Sequence, residues 1–89
     1  MISDQTAAKL RNIRSAGLSL LREKAQQRGW DWTRDRQVLK DIANGNIDQA
    51  AKKNRVAHST VNHILKRYDT EARRILDERR RKAMNYEEV

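Results

Sequence analysis

Apolar residues recur at helical spacing along most of the chain, and nothing alternates with period two for long enough to suggest a strand. Leu10, Ile13, Leu20, Leu21 and Ala25 fall on one side of a helical wheel, with Leu18 at its edge. Ser3 or Asp4 can cap the start of this segment and Gly29 can stop it, so one helix is expected from Ser3 to Arg28. Gly17 lies on the same stripe, where it either lets another helix approach closely or divides the segment in two. Trp30-Asp31-Trp32-Thr33 reads as a turn with a helix cap, and the two Trp residues there are expected to anchor the core. A second helix follows from Arg34 to Asn44, with Val38, Leu39 and Ile42 facing inward and Gly45 just past its end.

Asn46 and Gln49 have the spacing of a capping box, which opens a short helix ending near Asn54. Arg55, Val56 and Ala57 form a turn, and the next helix starts near His58. From there Val61, Leu65, Tyr68, Ala72 and Ile75 form a seam like that of a coiled coil. Asp69 and Thr70 can cap a new helix, which divides this stretch into a segment ending at Tyr68 and a C-terminal helix over 69–84. The fold class expected is all-α, a single-domain helical bundle. Pro is absent, and the chain is rich in Ala, Leu, Arg, Lys, Gln and Glu, which all favour helix.

Composition adds a partner class. The 89 residues hold 20 Lys and Arg against 12 Asp and Glu, for a net charge of +8. Such a balance favours polyanions, nucleic acid first. The excess is confined to residues 1–68, because residues 69–89 carry six charges of each sign. The C-terminal stretch therefore reads as a salt-bridged helix, with Arg79 to Lys82 as a local basic cluster. A chain of this length buries little surface alone, which makes a homodimer expected. The N-terminal helix is its expected interface, because its apolar stripe is wide for a free surface.

Other chemistry is set aside. Cys is absent, which excludes disulfides and thiolate metal sites. His58 and His63 are five residues apart, about 140° around a helix, and cannot easily share a metal. There is no glycine-rich phosphate loop, nucleophile elbow or metalloprotease motif. No enzyme activity, no metal and no cofactor are expected. No apolar run approaches the ~20 residues that span a bilayer, and no signal-peptide pattern opens the chain. A cytoplasmic protein without a membrane partner is expected.

The stretch AAKKNRVAHSTVNHILKRY, residues 50 to 68, resembles the bacterial and phage helix-turn-helix DNA-binding superfamily. The pattern is a small residue on the first helix, an apolar one in the turn and two on the second helix: Ala51, Val56, Val61 and Ile64. A small residue is needed where the second helix crosses the first, Val56 plugs the turn, and Val61 and Ile64 point back into the bundle. Arg55 stands where such turns usually hold Gly, and Asn54 where an apolar residue is usual. Asn tolerates left-handed backbone better than Arg, so Asn54 is expected to take the turn conformation.

The resemblance implies that the second helix enters the major groove of double-stranded DNA. Ser59, Asn62, His63 and Lys66, opposite or flanking the apolar face, would then contact bases, Asn62 pairing with adenine and Lys66 with guanine. Lys52, Lys53, Arg55, His58, Thr60 and Arg67 would contact phosphate. The function implied is sequence-specific DNA binding by a small phage- or plasmid-type transcriptional regulator. The alternatives are a DNA-packaging or recombination accessory factor resembling a small terminase subunit, and a protein-interaction module without autonomous DNA binding.

Overall fold

A computed structural model describes residues 2–87, with side chains from 2 to 84. It is all-helical, with no strand among the described residues. Five helices follow in order: α1 Asp4–Ala16, α2 Leu18–Arg28, α3 Trp32–Ala43, α4 Ile47–Asn54 and α5 His58–Glu87. Each of the first four starts or ends on a residue suited to it. Ser3, Asp31 and Asn46 accept the amides of Thr6, Arg34 and Gln49, which caps α1, α3 and α4. Gly29 ends α2 in the left-handed region at φ 71°, where a side chain would be strained.

Gly17 divides the N-terminal segment, which is two helices and not the single one expected over Ser3 to Arg28. Its φ of 101° and ψ of 130° lie where only glycine is comfortable. A methyl group there would meet nothing within 4 Å, so the requirement is backbone freedom and not close helix approach. The break lets the chain reverse. Along α1, Asn12 reaches Asp69 and the carbonyls of Ser15 and Ala16 receive the Arg79 guanidinium, at 2.9 and 2.8 Å. Along α2 the chain returns, and Arg28 meets Glu71 at 3.0 Å. Arg79 thus satisfies carbonyls orphaned at the end of α1. Leu20, expected on the buried stripe, is 38% exposed after the break, while Leu21 and Ala25 are fully buried.

The other expected division is absent. Residues 58–87 form one helix, and Thr70 donates its hydroxyl to the Lys66 carbonyl within it instead of capping a new start. Asp69 is likewise turned sideways, accepting from Asn12 of α1 and pairing with Arg73. α5 is the post around which the others pack, at ~1.5 Å per residue some 45 Å long. Its face of Val61, Ile64, Leu65, Tyr68, Ala72 and Ile75 meets Ile13, Ala16, Leu21, Ala25, Val38, Leu39, Ile42, Ala50 and Ala51 in one core.

Within that core lies a polar pair. The Tyr68 hydroxyl donates to Asp35 at 2.6 Å, and Arg34 donates to the other oxygen of the same carboxylate. Trp30 and Trp32 pack on the Tyr68 ring, at centroid distances of 5.4 and 5.8 Å, which is the anchoring role expected of them. Burial, then the Asp35 hydrogen bond and charge, pushes the Tyr68 hydroxyl well above its ordinary pKa. Every buried side-chain polar atom among the described residues has a partner.

Candidate nucleic-acid interface

α4 is short and small-faced. Ala50 and Ala51 are both buried, which lets the backbone of α4 come close to the helices it packs on. Gly45 lies just past α3, as expected, but its φ is not positive. What it provides is space, since a methyl group there would displace the Gln49 side chain as it reaches back from α4.

The turn between α4 and α5 is made by Arg55, at φ 55° and ψ 43°. The expectation that Asn54 would take the left-handed conformation is therefore corrected. Asn54 stays in α4 because its side-chain amide is bound at 2.8 Å to both Asp41 of α3 and the Ala50 carbonyl. The left-handed step passes to Arg55, the one non-glycine residue with positive φ among those described. The Val56 amide then closes on the Ala51 carbonyl at 3.1 Å, and the Val56 side chain packs half-buried against the core.

α5 leaves the turn with Val61, Ile64 and Leu65 inward, and this rotation puts Ser59, Asn62, His63 and Lys66 outward. All four are exposed and line one shallow surface depression. Lys52, Lys53 and Arg55 are exposed on α4 and the turn, and none forms an ion pair among the described residues. Thr60 is half-buried at the start of α5.

Two of the expected phosphate ligands are engaged within the protein. Arg67 is half-buried, its guanidinium 4.7 Å from the centre of the Trp30 ring. Arg28 approaches the same ring at 5.5 Å. His58 bridges two elements, with Nε2 3.0 Å from the Asp48 carboxylate of α4 and Nδ1 3.2 Å from the Asn62 amide nitrogen. Neither arrangement follows from spacing alone, although the i,i+4 step from His58 to Asn62 is a local signal for their contact.

The carboxylates are distributed unequally. Asp35, Asp41, Asp69 and Glu71 are buried. Asp35, Asp69 and Glu71 pair with Arg34, Arg73 and Arg28 with Arg74, while Asp41 accepts from Gln37 and Asn54. Four of the twelve carboxylates are thereby turned inward, while Asp48 on α4 stays exposed beside His58.

The chain is thus a small five-helix bundle with an exposed polar and basic face on the first turns of its longest helix. No protein-family model matches it, and neither a curated protein nor a solved structure does. No helix among the described residues is long and apolar enough to cross a membrane.

Proposed function

We propose that the protein binds double-stranded DNA in a sequence-dependent manner, as a cytoplasmic transcriptional regulator of the small phage or plasmid type, with the first two turns of α5 in the major groove. The observation that carries this reading is the α5 face itself. Ser59, Asn62, His63 and Lys66 supply hydrogen-bond donors and acceptors on an exposed helix surface, flanked by Lys52, Lys53 and Arg55, which form no ion pair among the described residues. The helix-turn-helix resemblance agrees with the packing, in that Ala51, Val61 and Ile64 are buried and Val56 is half-buried.

Binding-site selection from random duplexes tests the proposal. Asn62→Ala and Lys66→Ala should each weaken the preferred site by about 1–3 kcal/mol and relax base choice at one step. Lys53→Ala should weaken all duplexes alike. Equal loss on selected and random DNA in the Asn62 variant would remove Asn62 from base readout.

A homodimer belongs to the same reading, since one module spans few base pairs. Leu18, 48% exposed, and Leu20 are the large apolar residues that α2 leaves in solvent. Leu18 also lines an open groove with Leu10, Ile13, Leu39 and Ala43 between α1 and α3. Leu18→Asp combined with Leu20→Asp is expected to yield a folded monomer in sedimentation. A folded dimer would place the interface elsewhere. Leu21 is unsuitable for this test, because it is fully buried and its replacement would report on folding.

A further inference from the structure

We infer that His58 is a positioning residue for base readout: anchored by Asp48 across the turn, it holds the Asn62 carboxamide with its carbonyl oxygen turned outward and so makes Asn62 selective for adenine. The inference rests on the DNA-binding reading above and goes beyond it by assigning a role to two residues that touch no base.

The chemistry of the three side chains sets the direction of each bond. A carboxylate only accepts, so the ring nitrogen 3.0 Å from Asp48, Nε2 of His58, carries the hydrogen. In the neutral ring Nδ1 is then bare and accepts, and the group 3.2 Å from it is the amide nitrogen of Asn62, which only donates. With that nitrogen held toward His58, the carbonyl oxygen of Asn62 faces away from the ring. The second amide hydrogen stays free. Asn62 therefore presents one acceptor and one donor to whatever lies over the depression it shares with Ser59, His63 and Lys66.

In the major groove that combination matches one base edge. Adenine offers the N6 amino donor beside the N7 acceptor. Guanine offers two acceptors, thymine an acceptor and a methyl, and cytosine a donor without an adjacent acceptor. An unrestrained carboxamide rotates and can satisfy part of any of these edges. The His58 bond removes that freedom before DNA arrives. Because Asp48 lies in the first turn of α4 and His58 opens α5, the restraint also ties the reading amide to the other helix of the pair.

Two measurements on the full chain test the inference. In the free protein at about pH 8, the ring nitrogens of uniformly 15N-labelled protein should show His58 with a protonated Nε2 and a bare Nδ1. The opposite tautomer, or an even mixture, overturns the proposed restraint without reference to DNA. Site selection is then run with His58→Ala, His58→Asn and Asp48→Ala, each checked for helix content. The unaltered protein should prefer adenine at one step by about tenfold or more. His58→Ala should reduce this to about twofold at that step alone, with the salt dependence unchanged. Asp48→Ala should give a smaller loss at the same step. His58→Asn, whose side-chain oxygen can stand where Nδ1 stood, should recover most of the preference. Unchanged selection in folded His58→Ala overturns the positioning role and leaves DNA binding intact. Failure of the folded, unaltered protein to bind any duplex overturns both.

Discussion

Tyr68→Ala is expected to leave the protein largely unfolded at 37 °C. Among the described residues Tyr68 is the largest fully buried side chain, packed against both Trp rings and bonded to Asp35. Removing a buried aromatic ring costs about 3–5 kcal/mol from lost contacts and the cavity left behind. The buried Asp35 carboxylate would also lose its shortest hydrogen bond, while Arg34 remains as its partner. A domain of this size has a total stability toward the low end of about 5–15 kcal/mol, so one substitution consumes much of it. Tyr68→Phe separates the two effects. It keeps the ring and should cost about 1–3 kcal/mol for the hydrogen bond alone.

Urea denaturation followed by tryptophan emission measures both variants, because Trp30 and Trp32 lie on the ring that is changed. A Tyr68→Phe protein as stable as the original would show that the bond to Asp35 contributes nothing net. Alkaline pH gives an independent check. The folded-state pKa of Tyr68 is raised above that of the unfolded chain. The corresponding stability is fully present below the unfolded value near ~10 and declines as pH rises from there toward the folded value. Compared with Tyr68→Phe, the unaltered protein should therefore lose extra stability only from about pH 10 upward.

Raising salt from ~50 to ~200 mM should weaken the complex with a selected duplex by roughly a thousandfold. That figure corresponds to about six phosphate contacts in a dimer, each releasing a condensed counterion. The cations available are Lys52, Lys53 and Arg55 of each protomer, all exposed and without ion pairs among the described residues. Lys53→Ala should lower the slope of log affinity against log salt by about one per protomer. Arg67→Ala should change the slope less, because its guanidinium is already stacked on Trp30. Fluorescence polarisation of a labelled duplex across the salt range reads all three proteins. A flat response in the unaltered protein would remove DNA as the partner.

Much of the helix map was legible in the sequence, for a local reason. A cap joins residues three apart and an apolar stripe repeats every three or four, so both are written in neighbouring positions. Asn46 with Gln49, Gly29 after α2 and the start of α5 at His58 are of this kind. The apolar positions Ala51, Val61 and Ile64 were likewise set by spacing, and they are buried. The outward placement of Ser59, Asn62, His63 and Lys66 follows from the same periodicity.

What remained hidden depends on residues far apart in the chain. The apolar stripe runs through Gly17 whether or not the helix breaks there. The reversal of α2 along α5, with Arg79 meeting the exposed carbonyls 63 and 64 positions away, decides that it does. Asn54 is locally the better left-handed residue, yet Asp41, 13 positions earlier, holds its amide and the step moves to Arg55. Asp69 and Thr70 are good caps in isolation, but Asn12 from α1 occupies the first and continuous packing of α5 overrides the second. Arg67 reads as a solvent-facing cation until Trp30 is brought beneath it. The sequence by itself determined the net charge, which is composition alone, and most helix ends and buried faces, because those rest on contacts within about one turn. Only the tertiary structure decided where helices bend, which acids are turned inward and which cations stay free, because each of these is a choice among distant partners that only the packed chain can make.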